Sequence, residues 1–145
     1  MRRGREALAS AVHLLQGEYF SDAISRAYYA AFHFARALLF LKGLEPKTHH
    51  GVIQLLSLHF VRPGMLQENI ADHLRRLETF RELSDYDAEA EFGHVEAERR
   101  IRDAEEFINE CTKILEKSGL RVSPWSTSRH GGKSARRSKR NQDGR

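Results

Sequence analysis

The chain has 145 residues, 40% of them hydrophobic and 30% charged, with three prolines, one cysteine and a formal net charge of +4. That length supports one domain with a sizeable core, and that apolar content excludes a globally disordered chain. A single cysteine excludes an internal disulfide.

Five helical segments follow one another. The first, about Arg3–Gly17, places Leu8, Ala11, Val12 and Leu15 at helical spacing. Its opening, MRRGREALASAVHLLQG, is basic and then apolar, but Glu6 and His13 spoil it as a signal peptide. It is also too short and too charged to span a bilayer, so a cytoplasmic protein without membrane association is expected. The second segment runs from an N-cap at Ser21 to a stop at Gly43 and is apolar on most of its circumference. It is the expected centre of the fold. Thr48 caps a third helix, about His49–Val61, which Arg62-Pro63-Gly64 ends.

The fourth, about Leu66–Ser84, repeats Leu66, Ile70, Leu74, Leu77 and Phe80, and the polar stretch SDYDAEAEFG after it reads as a loop or frayed end. The fifth, about His94–Lys117, carries Ile101, Ala104, Ile108, Cys111 and Leu115 on one face, with Cys111 read as a small core hydrophobe. These segments predict an all-α, antiparallel four- to five-helix bundle over residues 1–118.

Residues 119–145 differ. They hold eight Lys/Arg against Asp143 alone, or +7, leaving 16 basic and 19 acidic side chains, or −3, on residues 1–118. Val122 and Trp125 are nearly the only large apolar residues there. Such a composition does not bury enough surface to offset chain entropy, so a disordered basic tail is expected. The high isoelectric point belongs to this tail. A basic surface on the folded part does not follow from the total.

The central segment carries the first functional signal. At 100° per residue, Asp22, Arg26, Tyr29, His33 and Arg36 fall within about 80° of one another, and Phe40 joins the same arc. Two readings stand: a solvent face, or the floor of a cleft or interface where Arg26, Tyr29 and Arg36 meet an anionic ligand or partner. Arg81 is the second signal, because it lies in the angular range of the apolar stripe on the fourth helix. It either snorkels and pairs with Asp85 at i+4, or points into the same cleft, where its planar fork suits a phosphate.

Other signals carry less. Eight histidines invite a metal site, but no HExxH and no CxxC occurs. HGGKS at His130–Ser134 lacks the strand and preceding glycine of a phosphate-binding loop. No metal or cofactor is expected.

SRAYYAAFHFARALLFLKGLEPKTHHGVIQLLSLHFV, then RELSDYD, then a last amphipathic helix ending AEEFI, resembles the HEPN superfamily over about Arg5–Lys117. The pieces that carry the likeness are Ser25-Arg26-Ala27-Tyr28-Tyr29, His33, Lys42-Gly43, Thr48-His49 and Arg81 with Asp85-Tyr86.

The resemblance implies a helical bundle that dimerises, pairing with a nucleotidyltransferase-domain protein in a toxin–antitoxin module, and association with RNA or nucleotide. Active members are metal-independent ribonucleases with an Arg followed closely by a His. Arg81 matches that Arg, but Tyr86 stands where the His would be. The favoured reading is therefore a binding module in which Arg26, Tyr29, Arg36 and Arg81, with His33, hold phosphate and Tyr86 stacks or donates a hydrogen bond. The alternative is a ribonuclease in which His33 or Tyr86 replaces the missing group beside Arg81. A phenol near neutral pH donates a proton but accepts one poorly.

Overall fold

A computed structural model describes residues 1–87 and 89–119. The tail beyond Gly119, including Trp125 and the HGGKS stretch, lies outside the described residues. Five α-helices occur among those described: α1 (Arg2–Gln16), α2 (Phe20–Leu41), α3 (His49–Leu56), α4 (Glu68–Tyr86) and α5 (His94–Lys117). A π-helical turn, Ser57–Val61, extends α3. No strand is present among the described residues. No helix there is long and apolar enough to cross a membrane.

The all-α bundle expected from the periodicities is what forms. α2 is its centre, with Ala23, Ile24, Ala27, Tyr28, Ala30, Ala31, Phe34, Ala35, Leu38 and Leu39 all buried. Each fully buried Leu or Phe contributes about 2 kcal/mol relative to exposure. The run of alanines lets neighbours approach closely. At Gly4 of α1, an added Cβ would meet the Phe34 ring at 2.8 Å and the Ala30 carbonyl at 3.2 Å.

That contact sets the start of α1 beside the second half of α2, so the two run antiparallel across a short turn. α5 runs in the direction of α2: His94 meets Phe20 at its start, and Leu115 shares a recess with Phe40 at its end. α4 runs against both, since Phe80 lies under Arg100 while His73 meets Glu106. Cys111 is fully enclosed, and burial pushes its thiol well above the ordinary value, as suits a core hydrophobe.

Several helix ends differ from those expected. α2 starts before Ser21, and no side chain caps it. The chain turns tightly out of α1 with Glu18 at φ 65, and Tyr19 already accepts from the Ala23 amide at 2.9 Å. Gly43 does end the helix, at φ 71, with the Leu44 amide bonded back to the Leu39 carbonyl at 3.0 Å. Thr48 caps α3 as expected, accepting from the Gly51 amide at 2.9 Å. The third helix reaches Val61, but its last turn widens to the π pattern, with Arg62 N–H on the Ser57 carbonyl at 2.9 Å. α4 continues to Tyr86 rather than stopping at Ser84, and the Arg81–Asp85 pair spans its last turn.

Candidate functional site

The exposed arc of α2 and the buried arginine of α4 meet at a pair of tyrosines. Tyr28 faces inward and is fully buried, while Tyr29 is half-buried beside it, the two rings 5.3 Å apart. Arg81 comes across from α4. Its guanidinium carbon lies 5.0 Å from the Tyr28 ring centre and 6.0 Å from that of Tyr29. It is only 8% exposed, while Asp85, its partner at i+4, is exposed, so the pair runs from the buried end of the site to its surface. Nη1 donates to Asp85 at 3.0 Å, as the i+4 spacing predicts.

Among the described residues neither Nε nor Nη2 of Arg81 has a partner; Nε is closed off, whereas Nη2 is not among the enclosed polar atoms. Burial opposes the charge on Arg81, but the Asp85 hydrogen bond and the two tyrosines outweigh it, and the net shift is upward. The cation therefore persists at any working pH, with Nη2 left open among the described residues. Glu78 and Glu82 of the same helix act on Tyr28, so the setting mixes charges.

A histidine completes the cluster. Thr48 fixes the first turn of α3, and His49, the next residue, stacks its ring on Phe32, centroids 4.5 Å apart and the planes nearly parallel. Its Nδ1 lies 2.5 Å from the Tyr28 hydroxyl. Burial, the first cause, and then Glu78 raise the Tyr28 phenol well above its ordinary value, with Arg81 opposing, so the hydroxyl keeps its proton.

The rest of the α2 arc extends this surface. Arg26 and Arg36 are exposed, and Tyr29 and His33 are half-buried. Arg26 lies over Tyr29 at 5.2 Å, and Arg36 over Phe32 at 6.0 Å. Basic side chains thus alternate with aromatic faces, the pattern that tracks phosphates while offering rings to bases.

Among the described residues neither His33 nor Tyr86 makes a hydrogen bond, ion pair or ring contact with Arg81. His33 borders a recess of about 350 Å³ with Arg36, Phe40 and Met1. Its pKa is lowered by burial first, then by the Met1 amine, Arg3, Arg36 and Arg26. Arg81 is not among those groups. Tyr86 projects into solvent at the end of α4, 82% exposed. Among the described residues no three His, Cys, Asp or Glu gather as a metal site.

Tyr28 and His49 are the members that residue-level reasoning missed. The helical projection puts Tyr28 on the core side, away from the polar arc, and His49 reads as one of three histidines on the third helical segment, with no role of its own. A signal was present: a tyrosine buried in a run of alanines needs a partner for its hydroxyl, and another element must supply it.

The HEPN domain family model matches residues 1–115. A protein of Methanocaldococcus jannaschii named "Putative toxin" is 38% identical over 110 residues, 76% of this chain and 81% of that relative. A second protein of that organism, also named as a "Putative toxin", is 29% identical over 115 residues, 79% of this chain and 78% of the relative. A UPF0332 protein of Thermotoga maritima is 35% identical over 115 residues, 79% of this chain and 87% of the relative. With the helical bundle and a family match over most of its length, this chain belongs to the HEPN domain family.

Proposed function

We propose that the protein is a toxin-like HEPN module that binds a phosphate-bearing ligand, RNA or nucleotide, on the surface formed by Arg26, Tyr29, Arg36 and Arg81. The observation that carries this is Arg81: a buried cation stacked on two tyrosines, held on one side by Asp85, with Nη2 left open. A guanidinium in that setting is already desolvated and oriented, so a phosphate oxygen gains a charge-assisted hydrogen bond at little ordering cost. The toxin names of the two relatives support the toxin-like part. In this reading the module is a homodimer and one half of a pair with a nucleotidyltransferase-domain protein.

Fluorescence anisotropy of a labelled oligouridylate, titrated at low and moderate salt, tests the binding surface. Arg26→Ala and Arg36→Ala should each reduce the salt slope by about one, the change expected for one lost phosphate contact. The tail's contribution is common to every variant. Unchanged slopes would remove the α2 arc from the binding surface.

A metal-independent ribonuclease is the second reading. The lowered pKa of His33 favours it, because a neutral imidazole accepts the 2′-hydroxyl proton near neutral pH. Cleavage of an RNA pool in the presence of EDTA, lost in His33→Ala and kept in Tyr86→Phe, would support it.

A further inference from the structure

His49 occupies a place in the cluster that no motif assigns. Its Nδ1 faces the Tyr28 hydroxyl, its ring lies flat on Phe32, and Tyr29 stands edge-on at 6.1 Å. Tyr28 is wholly enclosed, and among the described residues its hydroxyl has His49 as its hydrogen-bond partner. Two arrangements satisfy that distance. If Nδ1 carried the proton, the Tyr28 hydroxyl hydrogen would be left buried without an acceptor, at a cost of about 1–3 kcal/mol. If Tyr28 donates to Nδ1, the buried hydroxyl hydrogen has its acceptor and the neutral ring carries its proton on Nε2. Nε2 has no protein partner among the described residues and is not among the enclosed polar atoms, so it opens outward.

We propose that His49 is a ligand-binding residue of this site, presenting Nε2–H as a fixed donor to a phosphate oxygen, with Tyr28 as the positioning residue that holds its tautomer. Arg81 and His49 flank the same two tyrosine rings, so one anionic group at Tyr29 is offered a guanidinium edge from α4 and an imidazole N–H from α3. The same geometry gives the neutral ring no outward-facing lone pair. His49 thus holds a phosphate and does not take a proton from the 2′-hydroxyl. The assignment rests on reading the cluster as phosphate-binding.

Two measurements test it. Long-range ¹H–¹⁵N correlation spectra of the full chain, at a pH where His49 is neutral, should show Nε2 protonated and Nδ1 not. A ring protonated on Nδ1 would overturn the proposal without reference to any ligand. In anisotropy titrations with labelled oligouridylate, His49→Ala should weaken binding about tenfold, as for one lost hydrogen bond to a charged group. His49→Gln, whose side-chain amide N–H reaches the place of Nε2–H, should stay within about threefold of the parent. Parent-like affinity in His49→Ala together with weakened Arg81→Lys would sink the His49 assignment and leave the site standing. Parent-like affinity in both would sink the site and the assignment together.

Discussion

Arg81 of α4 lies over the ring of Tyr28 of α2, its guanidinium carbon 5.0 Å from the ring centre, and this contact joins the core of the bundle to its candidate site. The tyrosine supplies a π face that replaces part of the water lost on burial, and Asp85 balances the charge from one side. Helix packing and the proposed ligand binding therefore depend on the same side chain.

Replacing Arg81 should consequently affect stability. Arg81→Ala removes the stacked cation and the packing of its aliphatic stem, and should cost about 2 kcal/mol in urea unfolding. Tyr86→Ala, at a position 82% exposed, should stay within about 0.5 kcal/mol of the parent. Equal effects at the two positions would show that Arg81 is not integrated into the bundle.

Gly4 marks the closest approach of α1 to α2. Alanine there gains about 1 kcal/mol of helix propensity. Its Cβ, however, would stand 2.8 Å from the ring of Phe34, a side chain locked in the core. Overpacking should win, with a net loss of about 1–2 kcal/mol by denaturant unfolding. A Gly4→Ala variant more stable than the parent would mean that the two helices separate easily.

The pH dependence of stability should carry a signature of His33. Its pKa is lower in the folded than in the unfolded chain, through burial and then the positive groups of Met1, Arg3, Arg36 and Arg26. The unfolded state therefore binds the proton first. Stability should fall as pH drops through the unfolded value of about 6.5, and the loss should level off below the folded value. His33→Gln should flatten that part of the curve. An identical curve in the variant would assign the acid loss to other groups.

Much of the fold was legible because apolar spacing is a direct record of burial. Ala23, Ala27, Ala31 and Phe34 mark the inward side of α2, and Gly43 and Thr48 carry local backbone chemistry that neighbours do not change. The start of α2 was less legible. Its first turn is set by the tight exit from α1 at Glu18 and Tyr19, whose amides bond back to the Leu15 and Leu14 carbonyls, a turn that overrides the capping preference of Ser21.

Half of the candidate site was legible for the same reason. Arg26, Tyr29, His33 and Arg36 share one arc of one helix, which spacing reveals. Arg81 and Asp85 are four residues apart, which also shows. His49 and Tyr28 are 21 residues apart and meet only because α3 folds back across α2, so their relationship is written in the packing.

In the proposed function Arg81 presents a desolvated guanidinium edge to a phosphate. The most direct measurement compares the parent with Arg81→Lys in binding a labelled oligouridylate, with circular dichroism establishing that the variant is folded. Lysine keeps the charge and loses the planar fork. Binding should weaken about tenfold, as expected for a lost charge-assisted hydrogen bond. Parent-like affinity in a folded Arg81→Lys would contradict the account, because the geometry of the guanidinium would then have no part in holding the ligand.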